Sequence, residues 1–415
     1  MSGPRRLEDL SMSPSNPVVA ATHPDPYPFY ADLVARRPFY RDDTLGLWVA
    51  SSARAVGAVL SSPACRVRPL PEPVPRVLQG LASAEVFGRL ARMNEGPFHL
   101  VVRRALMTVL GTLGAEHGAE EGRRQARRLI AEEVPLRELV FRLPVQAVGA
   151  LLGLEPGGLP EVASWTGALV RGMAPGADAE QVREGALAAE RLMAVFHARL
   201  AHSEDGPLTL LSRELGASST APGALSREQA DAESSAVIVS NAIGLLVQTH
   251  DATAGLLGNA LRASLADPAV YAQVSSRPEW LPRLLDEVLR FDPPVQNTRR
   301  FLSEDAVIDG RALRAGDTVL VVLAAANRDP AVHHAPHRFD LHREPSELAT
   351  FGEGRHACPG AALARAVSLG ALEVLFATDL VSHRAAFSAT GFQPSVNGRV
   401  PLLPRLHLHS REHTT

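Results

Sequence analysis

The sequence contains no lysine, and all 42 of its Lys+Arg residues are arginine. A chain without lysine cannot form a Schiff base through a lysine amine. It also lacks the phosphate-binding lysine of nucleotide-hydrolysing loops. These absences exclude two common kinds of active site before any motif is considered.

Cysteine, net charge and long apolar runs are equally scarce. With only Cys65 and Cys358, the chain cannot build a disulfide framework or a four-thiolate metal site, and it suits a reducing cytosol. A net charge of −3 gives no electrostatic argument for a nucleic-acid partner. The most apolar run, 236–247, is too short to cross a bilayer, and residues 1–16 lack the apolar core of a signal peptide or anchor. We therefore expect a cytoplasmic protein with no nucleic-acid or membrane partner.

Apolar residues recur mostly at helical spacing between about residue 83 and residue 378. No internal repeat or long linker divides the chain. We predict a disordered segment over 1–16 and a single domain over 17–415. Its fold class is mainly α (α+β), with a large helical part and a smaller β-rich part built from both ends of the chain. Outside the helical region we predict a helix over 27–36, strands over 39–42, 47–50 and 318–324, and short strands and turns in the last forty or so residues.

The most informative segment is 351–360, with the sequence FGEGRHACPG. It places Cys358 in a glycine-rich loop directly before an apolar helical pattern. Glycines let the backbone approach a flat ligand, and the start of a helix directs N–H groups and a positive dipole end at the sulfur. This setting favours the thiolate form of the cysteine. A single deprotonated cysteine in such a loop suggests an axial ligand of a haem iron.

The loop closely resembles the haem-binding signature of the cytochrome P450 family, with Cys358 at the position of the iron ligand. The resemblance extends from about residue 24 to residue 403. It implies the cytochrome P450 fold, with haem b buried between two long helices. In the same loop it implies that Phe351, Gly352 and Gly360 help to bind the cofactor.

The resemblance also implies roles for two further groups of residues. Glu287 and Arg290 lie three residues apart on a predicted helix and so share a face. The family has a Glu-x-x-Arg pair at the matching place, which implies a structural role in the core beneath the haem. Burying the two haem propionates requires cations and hydrogen bonds, and the resemblance assigns this role to four residues: His99, Arg103, Arg300 and His356.

The chain departs from the family pattern at the centre of a long helix predicted over about 231–265. The family has two small residues, any residue, an acid and a threonine, whereas this chain has Gln248, Thr249, His250, Asp251 and Ala252. The acid is retained, but the threonine hydroxyl that helps to protonate bound dioxygen is missing. Gln248 and Ala252 are four residues apart and share a face. Thr253 lies about 100° further round and replaces the missing hydroxyl only if the helix bulges.

The resemblance implies a monooxygenase, an oxidoreductase that uses O2 to oxidise a small organic substrate in secondary metabolism. It also implies electron supply by a ferredoxin and its reductase, and we expect a monomer. Asp251, Gln248, Thr249 and Ala252 are the predicted catalytic residues. The predicted substrate pocket comprises Val295, Gln296, Asn297 and Val396.

Two other functions stay open at this point. The missing hydroxyl is compatible with ordinary chemistry in which water or the substrate relays the proton. It is also compatible with a reaction other than hydroxylation, such as aryl coupling, nitration or desaturation. A haem carrier or sensor without turnover is the third possibility, and the retained Asp251 argues against it.

Overall fold

A computed structural model describes residues 13–202, 204–218, 227–387 and 391–409. Most of the segment predicted to be disordered, 1–12, lies outside these residues. Its last part, 13–16, is a loop in which the Asn16 Oδ1 atom accepts hydrogen bonds from the backbone N–H groups of Val18 and Val19 at 3.0 and 3.1 Å.

Helices dominate the described chain, as the spacing of apolar residues predicts. In chain order they are α1 (Tyr27–Arg36), α2 (Ala53–Ser61), α3 (Ala82–Arg89), α4 (Gly96–Leu113), α5 (Ala115–Ala131), α6 (Leu136–Leu151), α7 (Leu159–Gly172), α8 (Ala179–Ala201), α9 (Pro207–Ser218), α10 (Arg227–Ala266), α11 (Pro268–Ser276), α12 (Leu281–Phe291), α13 (Leu323–Ala326) and α14 (Ala361–Phe376).

The strands form a five-stranded sheet and a separate hairpin. They are β1 (Phe39–Asp42), β2 (Leu47–Ala50), β3 (Cys65–Arg66), β4 (Thr298–Leu302), β5 (Ala306–Ile308), β6 (Arg311–Leu313) and β7 (Thr318–Val321). The sheet order is β1-β2-β7-β4-β3, and β5 pairs with β6. Among the strands of the described residues, only the β2–β7 pairing is parallel. The sheet therefore joins the first sixty or so residues to a segment near residue 300, as expected for a β-rich part drawn from distant parts of the chain.

Two of the β predictions need correction. The strand expected over 318–324 ends at Val321, and the chain continues into α13, because the alanines Ala324–Ala326 favour a helix. The described residues near the C-terminus form a 3-10 helix, Leu380–Phe387, and only isolated bridges such as Val295 with Gly398. They do not form the short strands that we predicted.

Helix α10 runs through the middle of the helical part and contacts α3, α6, α7, α8, α9, α11, α12 and α14. Its segment Gln229–Ala266 has the length and hydropathy of a membrane span, but 56% of its most apolar window is buried inside the protein. This burial is typical of the core helix of a globular protein. The helix is continuously α-helical through Thr253, so the bulge that would redirect this hydroxyl is absent.

The predicted Glu287–Arg290 pair lies in the core. The two side chains are 3% and 1% exposed and are joined by hydrogen bonds of 2.7 and 2.8 Å. Arg343 approaches the same carboxylate at 3.2 Å. Arg290 also donates to the backbone carbonyls of Pro336 and Arg338. The pair thus fixes α12 to the loop that leads toward the cysteine.

A second buried arginine, Arg399, joins the two ends of the described chain. Its Nε atom lies 2.6 Å from the carboxylate of Asp292, just after α12. Its remaining nitrogens donate to the backbone carbonyls of Ala21, His23 and Pro24. The segment before α1 is therefore held by a residue close to the C-terminus.

Candidate functional site

The loop around Cys358 is folded by its own backbone. The Cys358 N–H group donates to the Phe351 carbonyl at 2.8 Å. Gly352 and Gly354 make the turn with φ angles of +67° and +65°, a region that side chains other than glycine disfavour. The Cys358 side chain is exposed at the surface of the loop, whereas Cys65 is buried in the sheet. Of the two cysteines, Cys358 is therefore the one available to a ligand.

The charge state of the Cys358 thiol differs from the expectation. Desolvation by the surrounding protein raises its pKa. A hydrogen bond from the Gly360 N–H group and the guanidinium charges of Arg103 and Arg92 act in the opposite direction, but they do not outweigh desolvation. The prediction that this setting favours the thiolate is wrong, because the sequence did not show that the surrounding protein desolvates the sulfur although Cys358 is exposed. Metal coordination deprotonates such a thiol directly.

His356 of the cysteine loop lies beside His99 of α4. His99 is 2% exposed, and its Nδ1 and Nε2 atoms face the carbonyls of Ala91 and Arg355 at 2.8 and 3.0 Å. His99 thus ties the loop to α4, and its predicted contact with a haem propionate stays a prediction. The Nε2 atom of His356 lies 3.1 Å from the Glu95 carboxylate, without the alignment of a hydrogen bond.

Glu95 is an acid that the sequence interpretation missed. Burial raises its pKa, but the contacts with His356 and Arg355 and the N–H group of Val67 outweigh burial and lower the pKa to about 2. Burial lowers the pKa of His356, although Glu95 partly opposes this. The carboxylate thus stays ionised and helps to hold the cysteine loop in place.

Three arginines near this loop have no carboxylate within ion-pair distance among the described residues. Arg300 is 7% exposed and donates only to Thr298 and to the Arg299 carbonyl. Arg103 and Arg92 lie close enough to Cys358 for their charges to lower its pKa. Burial lowers the pKa of both Arg92 and Arg300. A buried cation such as Arg300 requires an anionic partner.

These observations fit haem b, the cofactor of the family whose signature the loop resembles. An exposed cysteine suits the iron, and the unaligned buried nitrogen of His356 suits a propionate. Arg103 and Arg300 supply the charges that two propionates need. Phe351, Gly352 and Gly360 lie in the same loop, and a Cβ atom on Gly360 would lie 4.0 Å from the cysteine sulfur. Their predicted contacts with the cofactor stay predictions.

A cavity of about 1660 Å³ lies next to α10, where the second face of the cofactor is expected. Its wall includes Gln248 and Ala252, together with Val247, His250 and Asp251 of the same helix. Arg92 lines the same cavity and also acts electrostatically on Cys358, whereas no residue of the cysteine loop lines the cavity. The volume exceeds that of a typical small-ligand pocket.

The hydroxyl groups at the centre of α10 are engaged within the helix. Thr249 and Thr253 hydrogen-bond to each other at 2.9 Å, and Thr253 is 2% exposed. The Gln248 Nε2 atom donates to the Gly244 carbonyl at 2.9 Å. Neither threonine lines the cavity, so the face of α10 that carries Ala252 offers an amide and a methyl group but no hydroxyl.

Asp251 also lines the cavity, but on the solvent side of α10. Its side chain is 51% exposed and accepts a hydrogen bond of 2.7 Å from His250 Nδ1. The His250 ring is 12% exposed and packs against Phe141 with 5.2 Å between ring centroids. This position connects a carboxylate to both the solvent and the interior.

Three of the four predicted pocket residues line the cavity: Val295, Asn297 and Val396. The prediction for Gln296 is wrong. It is fully buried, and its side chain donates to the Pro293 carbonyl at 2.8 Å. Alternate residues of an extended segment point to opposite sides, so 295 and 297 face the cavity while 296 points away.

Arg92 lies in the segment 70–93, which the sequence interpretation expected to contact substrate, but it was not singled out there. It lies on the 3-10 helix Ala91–Met93 between α3 and α4. Nothing in the sequence distinguishes it from the other arginines of a chain that has 42 of them. Glu95 had a weak signal, since it lies four residues before His99, a spacing common on one helical face.

Comparison with known proteins agrees with this geometry. Residues 268–376 match the family model of cytochrome P450. Cytochrome P450 monooxygenase PikC of Streptomyces venezuelae is 29% identical, and the alignment covers 82% of this chain and 80% of PikC. The putative cytochrome P450 YjiB of Bacillus subtilis is 30% identical over 63% of this chain, and the match spans 64% of its own length.

A solved structure agrees over nearly the whole chain. The crystal structure of CalO2 superposes with a TM-score of 0.79 at 27% identity, covering 96% of this chain and 99% of that protein. Similarity of this extent includes the helical part, the sheet and the cysteine loop. The chain belongs to the cytochrome P450 family.

Proposed function

We propose that this protein is a haem-thiolate monooxygenase that oxidises a small organic molecule in secondary metabolism. Electrons would come from a ferredoxin and its reductase, and the enzyme would act as a monomer in the cytoplasm. The observation that carries the proposal is the exposed Cys358 thiol in its glycine-rich loop, with the unpaired Arg103 and Arg300 nearby.

Haem b, when bound here, supplies the iron at which dioxygen is reduced and activated. Cys358 would ligate that iron and donate electron density to it. Arg103, Arg300 and His356 would bind the propionates and so fix the plane of the ring. Gly360 would help to hold negative charge on the sulfur through its N–H group.

On the opposite face, the cavity wall would hold the substrate over the iron. Val295, Asn297 and Val396 provide a mixed apolar and amide surface for this purpose. Holding a bond in one orientation is a large part of what a protein contributes to such a reaction. The half-exposed Asp251 would bring protons from solvent to the interior, with His250 holding its carboxylate.

One observation favours a second candidate, a reaction other than hydroxylation. Ala252 stands where the family has threonine, and the hydroxyls of Thr249 and Thr253 are bonded to each other. A proton relay to the iron face would then need water or a substrate hydroxyl. In aryl coupling, nitration and desaturation, the delivery of protons would differ from that in hydroxylation. Gln248 would then act as the hydrogen-bonding group in place of the missing hydroxyl.

The test starts from the carbon monoxide complex of the reduced holoprotein. A red-shifted band of thiolate-ligated haem is expected in the wild type and should be lost in Cys358→Ser. Cys65→Ser is the matched control and should keep the band, since Cys65 is buried in the sheet. A band that survives in Cys358→Ser would overturn the proposal.

The reaction itself requires a substrate. Small molecules that change the spin state of the ferric protein should be incubated with a ferredoxin, its reductase, NADPH and labelled dioxygen. Incorporation of one labelled oxygen atom into the product supports monooxygenation. Oxygen-dependent product without the label supports aryl coupling or desaturation as the reaction of the second candidate.

A further inference from the structure

Arg92 lies inside the cavity and has no task in the proposed function. It shares the wall with Gln248 and Ala252 of α10 and with Phe87 near the end of α3. Its side chain is exposed to the cavity. The guanidinium therefore borders the same cavity as the Ala252 face of α10.

The charge of Arg92 is not balanced by the protein. No carboxylate of the described residues lies within ion-pair distance of it, and desolvation lowers its pKa. Once a ligand fills the cavity and removes water from Arg92, a guanidinium without a counterion becomes unfavourable. An arginine in this setting is suited to an anionic ligand, because its planar group matches a carboxylate in a bidentate manner.

The backbone around Arg92 is anchored on both sides. The Ala91 N–H group donates to Asn241 Oδ1 of α10 at 2.9 Å, and the Ala91 carbonyl contacts His99 Nδ1 at 2.8 Å. After Arg92, the Asn94 side chain donates to the Leu90 carbonyl at 2.8 Å. The position of Arg92 relative to α10 is thus set before a ligand arrives, which reduces the entropic cost of binding.

The other charges of the cavity wall do not offset this cation. Its two acidic residues are Glu138 and Asp251, and each has a basic neighbour. Arg142 lies 3.2 Å from Glu138, and His250 lies 2.7 Å from Asp251. The wall contains two more arginines, Arg137 and Arg171, so positive charge is in excess.

Apolar side chains accompany the positive charge. Phe87, Val247 and Val295 line the same cavity. A ligand that satisfies both features has an apolar body and one anionic end.

We propose that Arg92 binds the carboxylate of an amphipathic organic acid and thereby holds the apolar body of that substrate against the Ala252 face of α10. This inference rests on the proposed function and names the substrate class of the same site. It makes Arg92 a specificity-determining residue.

A haem propionate has the same chemistry as a substrate carboxylate, so the experiment has to separate the two sources. Ferric holoprotein is prepared for the wild type, Arg92→Gln and Arg92→Lys. Arg127→Gln on α5 is the matched control, because Arg127 is exposed and outside the cavity wall. Haem content after gel filtration is measured for every variant.

Affinity is then measured from the spin-state change with two pairs of probes, decanoic acid against decanol and phenylbutanoic acid against phenylbutanol. The wild type should bind at least one acid about tenfold more tightly than its alcohol, as expected for a charged hydrogen bond. Arg92→Gln should lose this preference while its affinity for the alcohol stays within about twofold. Arg92→Lys should retain part of the preference, and Arg127→Gln should equal the wild type.

Two results would overturn the inference: a wild type without preference for either acid, or an Arg92→Gln variant that keeps the preference. Loss of haem from Arg92→Gln with the preference intact in the remaining holoprotein would instead assign Arg92 to a propionate, which also overturns it. The carbon monoxide band of the wild type separates these outcomes from failure of the proposed function. A normal band without acid preference rejects only the role of Arg92.

Discussion

The imidazole rings of His99 and His356 stack with their centroids 4.2 Å apart. This contact places α4 directly against the cysteine loop. Glu95 completes the arrangement by contacting both Arg355 and His356 at 3.1 Å. The proximal loop is therefore supported from one side by a small polar cluster.

The first prediction concerns acid stability through Glu95. The decrease of its pKa from 4.5 to about 2 corresponds to at most about 3 kcal/mol of unfolding free energy. Because the folded-state pKa is depressed, this stabilisation is complete above about pH 4.5 and is lost as the pH falls toward 2. Glu95→Gln should lower the free energy of unfolding at pH 7. Below pH 4.5 its free energy of unfolding should fall less steeply with decreasing pH than that of the wild type, as measured by urea unfolding at several pH values.

Glu120→Gln is the control for this prediction, because Glu120 is 60% exposed in its pair with Arg123. Its stability should stay within about 0.5 kcal/mol of the wild type. Identical pH profiles for Glu95→Gln and the wild type would show that the carboxylate does not support the loop.

The second prediction concerns haem retention. Arg300→Ala and Arg103→Ala should each leave a propionate without its cation, at a cost of roughly several kcal/mol. The ratio of haem to protein after gel filtration should fall in both variants. Arg299→Ala alters the exposed neighbour of Arg300 and should retain haem. Full haem content in both alanine variants would place the propionates elsewhere.

The third prediction concerns the buried pair on α12. Glu287→Ala removes one partner of Arg290 and Arg343 in the core and should cost about 3–5 kcal/mol or prevent folding. Asp286→Ala is matched to it, because the Asp286–Arg365 pair is 41% and 37% exposed. That variant should lose less than about 1 kcal/mol. Equal melting temperatures for the two variants would contradict the structural role of Glu287.

The fourth prediction concerns the amide of Gln248. Gln248→Ala should remove a hydrogen bond to the substrate or to the oxygen-binding face, worth about 1–3 kcal/mol. Substrate affinity or turnover should then fall by roughly five- to 150-fold. Unchanged binding, product and coupling would show that the bond to the Gly244 carbonyl is the only function of this side chain.

The fifth prediction separates the two candidate reactions. If the enzyme is an ordinary monooxygenase, Ala252→Thr should be tolerated and should raise the fraction of electrons that reach product. If the pocket serves another oxidation, the added methyl and hydroxyl groups should obstruct the substrate and lower turnover. Product formed per NADPH consumed is the deciding measurement.

The sequence predicted helices and strands well in segments where the pattern of apolar residues was clear. Helix α1 and strands β1 and β2 have the predicted bounds, and Glu287 and Arg290 form the expected buried pair. The 318–324 strand was too long because a β-branched run passes into alanines without a break. The spacing of apolar residues does not show where a strand ends when the helix that follows it is also apolar.

The sequence predicted the types of residue in the site. It did not predict the shifts in their pKa values or the direction of every side chain. Spacing on α10 placed Gln248 and Ala252 on one face of the cavity. It could not show that desolvation raises the pKa of Cys358, or that Gln296 points away from the cavity. Arg92 was hidden because its importance depends on the absence of a nearby carboxylate, which is a property of the folded chain.

The clamp formed by Arg399 has a consequence for biosynthesis. The segment that it holds, from Ala21 to Pro24, precedes Arg399 by 375 or more residues and is therefore synthesised long before it. Thr22, His23 and Pro24 form part of the cavity wall. Because contacts between such distant residues can form only after both have been synthesised, the ribosome-bound chain carries an incomplete pocket. Closure of this wall is therefore a late step in the maturation of the enzyme.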